Sequence, residues 1–185
     1  MSRLVCVLGV DPGFASLGYA ILRLGSQGEA LDAAGVIRTS ASDKKRKILA
    51  TDDNARRCRE IARELDGLFE RWQPAVICAE SMSFPRNAAT AAKMAMSWGV
   101  LIAYSHSRGC PIVQASPQEV KLALTRTKTA SKDDVAKAVR ARYKNAGKLL
   151  TDLPESLHEH ANDAVASAVA CLESDAVRFL RGLAR

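Results

Sequence analysis

Four residues of this 185-residue chain stand where a polar side chain is hard to explain without a ligand. Asp11 closes the apolar run Leu4–Val10, and Asp11-Pro12-Gly13 then breaks it; Glu80 closes a second run, Ala75-Val76-Ile77-Cys78-Ala79. A carboxylate that terminates a buried strand is costly unless something binds it. Two adjacent parallel strands would bring both to the carboxyl edge of a sheet, where α/β folds place their ligands. His160 and Asp163 lie three apart in Glu155-Ser156-Leu157-His158-Glu159-His160-Ala161-Asn162-Asp163-Ala164 and so share one side of a helix. Small residues at Ala161, Ala164 and Ala168 let that helix approach the sheet closely. Repelling carboxylates gathered on rigid elements point to divalent metal. Hard oxygen ligands with room for water suit magnesium, and two ions can clamp the attacking and leaving oxygens of a phosphodiester. Singly, each residue has a plainer reading: Asp11 caps a turn, Glu80 pairs with a base, Asp163 faces water. Their joint placement favours the metal.

The elements that must position these residues follow from periodicity. Leu4–Val10 reads as a central buried strand, and Gly18–Leu24 and Ala30–Thr39 as two more, joined by a turn at Gly25-Ser26-Gln27-Gly28. Cys58, Ile61, Ala62, Leu65, Leu68, Phe69 and Trp72 recur at helical spacing and predict a helix from about Asp52 to Trp72, stopped by Pro74. A fourth strand ends at Glu80, and a helix over Ala88–Ser107 is capped by Gly109. Pro111–Ala115 reads as a fifth strand, and Ser116-Pro117 opens a short helix. A further helix runs from Ser131 to about Tyr143, and a loop with Gly147 and Pro154 leads to a last helix over Pro154–Leu172. Strands separated by helices should pair in parallel through right-handed crossovers. The expected fold is therefore α/β, with a mixed five-stranded sheet: an antiparallel meander of the first three strands, and the fourth and fifth parallel to the first. Length predicts one domain over residues 1–185.

Composition narrows the function classes. Hydrophobic residues make up 48% and charged residues 25%, which excludes wholesale disorder. No apolar run approaches the roughly 18–20 residues of a membrane span. The opening Met1–Leu8 is interrupted by Asp-Pro-Gly without a cleavage pattern, so it reads as a strand and not a signal. Cys6, Cys58, Cys78, Cys110 and Cys171 are odd in number and scattered, which suits buried thiols in a reducing, cytoplasmic setting. The net charge of +7 has one source. Between Lys121 and Lys148, nine basic residues (Lys121, Arg126, Lys128, Lys132, Lys137, Arg140, Arg142, Lys144, Lys148) face only Asp133 and Asp134, and the rest of the chain is balanced. A polyanion-facing surface explains this, as does a solvated helix face. Lys44-Lys45-Arg46-Lys47 reads as a mobile surface loop.

The same residues carry a family resemblance. Leu8-Gly9-Val10-Asp11-Pro12-Gly13 with Gly18-Tyr19-Ala20-Ile21 resembles the opening motif of the RuvC family of Holliday-junction resolvases. The likeness continues through Glu80, Asn87, Lys93 and Gly99-Val100 to His160-Ala161-Asn162-Asp163-Ala164, in order and over nearly the whole chain. It implies an RNase H-like fold. It also implies a magnesium site of Asp11, Glu80, His160 and Asp163, with two ions and manganese accepted. Lys121 and Lys132 match lysines that contact DNA near the scissile phosphate, with Lys132 assisting catalysis. Lys128, Arg126, Phe84, Arg86 and Asn87 complete the expected DNA contacts. The implied activity is paired nicking of four-way junctions by a homodimer, leaving 5′-phosphate and 3′-hydroxyl ends, with a branch-migration helicase complex as a possible partner.

The chain departs from the family pattern at two places. Many relatives have aspartate where this chain has His160, a softer ligand that favours manganese; Glu159, or less readily His158, is an alternative donor. Relatives also carry a stacking aromatic three residues after the glutamate, where this chain has Ser83 followed by Phe84. Phe84 either takes over that stacking or packs under its own loop. Met94, Met96, Trp98 and Leu101 make the helix over Ala88–Ser107 the expected dimer surface, the alternative being burial within the monomer. Two competing functions remain at this point: another RNase H-like nuclease acting on flaps or RNA:DNA hybrids, and a catalytically silent junction-binding module.

Overall fold

A computed structural model describes residues 4–26, 28–82 and 87–183. Five strands, β1 (Val5–Asp11), β2 (Ser16–Gly25), β3 (Gly28–Arg38), β4 (Val76–Glu80) and β5 (Ile112–Ala115), form one sheet in the order β3-β2-β1-β4-β5. β1 pairs antiparallel with β2, and β2 with β3, while β4 is parallel to both β1 and β5. This is the expected mixed sheet. Helices α1 (Ala50–Trp72) and α2 (Ala88–Arg108) cover one face. The other face carries α3 (Pro117–Thr125), α4 (Lys132–Arg142), the short α5 (Ala146–Leu149), α6 (His158–Ala170) and α7 (Asp175–Leu183).

Strand alternation decides where the carboxylates go. Val5 and Val7 of β1 and Val76 and Cys78 of β4 pack in the core beneath α6, whereas Leu8, Val10, Ile77 and Ala79 pack beneath α1 and α2. Successive strand side chains point to opposite faces. Asp11 therefore follows Val5 and Val7, and Glu80 follows Val76 and Cys78, onto the α6 face. Val10 lies opposite Ala79 in the parallel ladder, so the two acids end neighbouring strands side by side.

α6 lies close on β1 and β2 because both partners are small. A methyl group on Gly9 would stand 2.2 Å from the Ala164 carbonyl oxygen and 2.7 Å from the Ala168 Cβ. One on Gly18, which sits opposite Asp11 in the ladder, would meet the His160 carbonyl oxygen at 2.0 Å. Alanines on the helix supply half of this fit, and glycines in the sheet supply the other half.

Helix ends obey their local chemistry. Ser116 and Ser131 each form a reciprocal capping box, with Glu119 and Asp134 respectively. α1 stops at Gln73 in the left-handed region (φ 48°) and α2 at Gly109 (φ 60°).

Four expectations need correction. The last helix begins at His158 after a single 3₁₀ turn (Glu155–Leu157) and ends at Ala170, short of Pro154–Leu172 at both ends. α5 occupies part of the expected loop. α7 was not anticipated: Val177 and Leu180, three apart, face the core while Phe179 and Leu183 stay exposed, and the helix is only nine residues long. The Lys44-Lys45-Arg46-Lys47 run begins with a one-turn 3₁₀ helix (Lys44–Arg46).

Candidate active site

The carboxyl edge of the sheet collects the four singled-out residues. Asp11 arrives on β1, Glu80 on β4, and α6 crosses above with His160 and Asp163. His160 Nδ1 donates to Asp11 Oδ2 at 2.8 Å. That bond fixes Nδ1 as the protonated nitrogen and, in the neutral ring, leaves the lone pair on Nε2. It also raises the histidine pKa, because Asp11 favours the charged imidazole. Burial first, and then the charges of Asp11 and Asp163, together push Glu80 up to about 7. Burial, with the charge of Asp11 beside it, likewise lifts Asp163 to about 6. Three carboxylates on separate elements therefore act on one another electrostatically.

Two lysines from the basic segment oppose this accumulation. Lys121 on α3 lowers the Glu80 pKa, and Lys132 on α4 lowers that of Asp163. Lys132 Nζ also donates to Glu159 Oε2 at 2.6 Å, a pairing that raises the lysine pKa and lowers that of Glu159. Among the described residues, no three His, Cys, Asp or Glu side chains stand close enough together to hold a metal ion in the arrangement seen. The Asp11–His160 hydrogen bond engages two of the prospective donor atoms with each other. The donor set itself, three hard carboxylates and one imidazole, still fits a hard divalent cation.

Comparison with known proteins then decides the family. The sequence profile described as "Crossover junction endodeoxyribonuclease RuvC" matches residues 7–171. The chain belongs to the RuvC family. The RuvC of Thermomicrobium roseum is 34% identical over 164 residues, covering 88% of this chain and 90% of that protein. A Synechococcus RuvC is 33% identical over 133 residues, covering 72% and 80%. Among solved structures, Thermus thermophilus RuvC in complex with a Holliday junction substrate superposes with a TM-score of 0.72 at 24% identity, covering 97% of each chain. The yeast mitochondrial Holliday junction resolvase superposes at 0.66 with 15% identity, covering 96% of this chain and 82% of that one. At these identities the superpositions establish the RuvC-type, RNase H-like fold.

The remaining expected residues of this RuvC-family chain fall into three groups. Arg126 and Lys128 are exposed just beyond α3, with Arg126 forming its left-handed cap (φ 62°). Asn87 is the N-cap of α2, its side-chain oxygen accepting from the Thr90 N–H at 3.1 Å. Phe84 and Arg86 lie outside the described residues.

Other donors are already engaged. His158 Nε2 donates to the Leu153 carbonyl at 2.8 Å. Arg142, inside the basic segment, bonds Glu29 at 2.6 Å and ties α4 to the edge strand β3. The α2 side chains expected at a dimer surface, Met96, Trp98 and Leu101, pack inward instead, the alternative that the sequence left open. Trp98 and Leu101 are buried in the core beneath α1 and α2, and Met96 packs against that core. Ile102, 56% exposed, is a large apolar side chain that α2 leaves outside.

Reading the sequence alone missed two contributions to this edge. Gly18 makes room for the His160 backbone directly opposite Asp11, visible in sequence only as part of the Gly18-Tyr19 motif. Glu159 is the partner of Lys132, across 27 residues of chain.

Proposed function

We propose that this chain is a divalent-metal-dependent endodeoxyribonuclease that resolves four-way DNA junctions by paired phosphodiester hydrolysis, leaving 5′-phosphate and 3′-hydroxyl ends. The observation that carries this reading is the convergence of Asp11, Glu80, Asp163 and His160 on one sheet edge, in a chain of the RuvC family. Asp11, Glu80, Asp163 and His160 would hold two magnesium or manganese ions. Bound there, such ions supply Lewis acidity to the phosphate and to attacking water.

The protein's own contributions are more specific. β1 and β4 hold Asp11 and Glu80 on a rigid sheet, and α6 fixes His160 and Asp163 against them, so little reorganisation is needed at the moment of reaction. Lys132 exchanges Glu159 for the phosphate and balances the charge that develops there. Lys121 does the same on the Glu80 side. Arg126 and Lys128 grip the backbone without reading sequence, and the family resemblance assigns further junction contacts to Asn87, Arg86 and Phe84. His160 in place of an aspartate shifts metal preference toward manganese; His160→Asp should lower the Mn²⁺/Mg²⁺ activity ratio, and an unchanged ratio contradicts this.

Two junction strands require two sites, so the acting species is a homodimer. Its seam is the exposed face of α2, where Ala92, Ala95, Gly99 and Ile102 recur at helical spacing. A branch-migration helicase is a fitting further partner, and the five free thiols suit the reducing cytoplasm. No helix of the described residues is long and apolar enough to cross a membrane. Cleavage of a four-way junction, a flap and an RNA:DNA hybrid compared under Mg²⁺ tests the substrate. The junction should be cut fastest, and faster cleavage of flap or hybrid overturns the assignment.

A further inference from the structure

The apolar stripe of α1 contains a charge. Its four buried residues are Arg57, Ile61, Leu65 and Phe69, spaced every four positions, and Arg57 is only 5% exposed. Its partners among the described residues are uncharged. Arg57 Nε donates to Thr39 Oγ1 at 2.9 Å and Nη2 to the Phe14 carbonyl at 3.3 Å, while the guanidinium lies 4.2 Å above the centre of the Phe14 ring. The Thr39 hydroxyl donates to the same Phe14 carbonyl at 2.6 Å, and the Thr39 N–H to the Ala15 carbonyl at 3.0 Å. From α2, Ser97 Oγ donates to the Gly13 carbonyl at 3.3 Å. The Gly13 N–H closes back on the Asp11 carbonyl at 2.8 Å. The turn that follows Asp11 is thus held from three other elements, with Arg57 at the centre.

We propose that Arg57 is a positioning residue for Asp11, an inference that rests on Asp11 being a metal-binding carboxylate of the site. A buried ion is a poor device for stability alone, since an apolar side chain of similar volume is often as stable or more so. Methionine at this position would simply continue the stripe. What methionine cannot do is hold one residue by both backbone and side chain. The planar guanidinium does so, bonding the Phe14 carbonyl and stacking on the Phe14 ring. Phe14 is three residues from Asp11, so freeing it frees the carboxylate by a fraction of an ångström, which is enough to disturb an oriented site.

The test compares Arg57→Met, Arg57→Lys and Thr39→Val in the full chain. Four quantities are measured: thermal midpoint, junction affinity in EDTA, single-turnover cleavage, and Mn²⁺ affinity of the DNA-free protein by electron paramagnetic resonance. Arg57→Met should keep the midpoint and the junction affinity while slowing cleavage at least about tenfold and weakening Mn²⁺ binding several-fold. Arg57→Lys should recover part of both losses. Thr39→Val should move both in the same direction by less, and it carries the test if Arg57→Met does not fold. Wild-type cleavage and Mn²⁺ affinity in the folded variants overturn the proposal, as does a rate loss matched by equal losses of midpoint and junction affinity. A parent chain that binds Mn²⁺ yet cuts no junction contradicts the proposed function instead, and the Mn²⁺ comparison then decides the role of Arg57 by itself.

Discussion

The acidic sheet edge and the basic segment Lys121–Lys148 are built in opposite ways. At the edge, each charge sits on a buried element: Asp11 and Glu80 close apolar strands, and Asp163 lies on a helix whose neighbouring positions Ala161, Asn162 and Ala164 are buried. Burial and mutual repulsion raise two of these carboxylates well above their ordinary range, so the edge is electrostatically expensive without a neutralising cation. In the basic segment the charges ride outside. Arg126, Lys128, Lys137 and Arg140 are exposed, while Val120, Val135 and Val139 do the packing. Charge fixed by the core suits chemistry, which needs position; charge on the surface suits grip, which needs only field. Lys121 and Lys132 belong to the second region by sequence and to the first by their effect on Glu80 and Asp163.

Substitutions should separate the two regions, and the largest effect belongs to the edge. Asp11→Asn is expected to reduce single-turnover cleavage by about a thousandfold or more while junction affinity changes less than about threefold. A parallel loss of binding would merge the regions.

Lys132→Ala, at the boundary, should slow cleavage by roughly 10- to 100-fold with a smaller change in affinity. An effect on affinity alone would return Lys132 to the grip. Replacing both Arg126 and Lys128 by alanine should weaken binding about tenfold. The same change should reduce the slope of log affinity against log salt by roughly two, with the rate at saturation unchanged. Titration of affinity against salt checks this.

A separate effect is on stability and requires metal-free protein. A carboxyl whose pKa is higher folded than unfolded holds its proton more tightly when folded. Its stabilising contribution is present at low pH and is lost as pH rises from its ordinary value through the folded one. For Asp163 and Glu80 that window runs from near pH 4 to the folded values of about 6 and about 7. Stability should therefore fall across pH 4–7, by an amount on the order of 2–4 kcal/mol given partial solvent exposure. Saturating Mg²⁺ should restore it by mass action. Calorimetric midpoints at several pH values, with and without Mg²⁺, measure the effect, and a metal-independent pH profile would show that the edge does not bind the ion.

Legibility in the sequence divides along the same line. The strand-end acids could be read because an apolar run that stops at a carboxylate is a local signal, and strand parity then fixes their face. The His160–Asp163 pair was readable from helical spacing. What escaped depends on tertiary proximity or on a charge in an unexpected place. Gly9 and Gly18 reveal their purpose only when α6 lies on them. The Lys132–Glu159 pair spans separate helices. Arg57 stands one position ahead of the first apolar residue of its helix face, where an arginine is ordinarily read as solvent-exposed. The methionine- and tryptophan-bearing face of α2 misled in the other direction. Its large side chains fill the monomer core, and the surface they leave behind is made of small residues and Ile102.

The central claim is that the acidic edge cuts while the basic segment holds a branched DNA. Incubating the protein with a mobile four-way junction in Mg²⁺ or Mn²⁺, and mapping both ends of every product, tests it most directly. The account predicts symmetric nicks on two opposed strands, with 5′-phosphate and 3′-hydroxyl termini, absent in EDTA. Tight junction binding without nicks under either metal would contradict it.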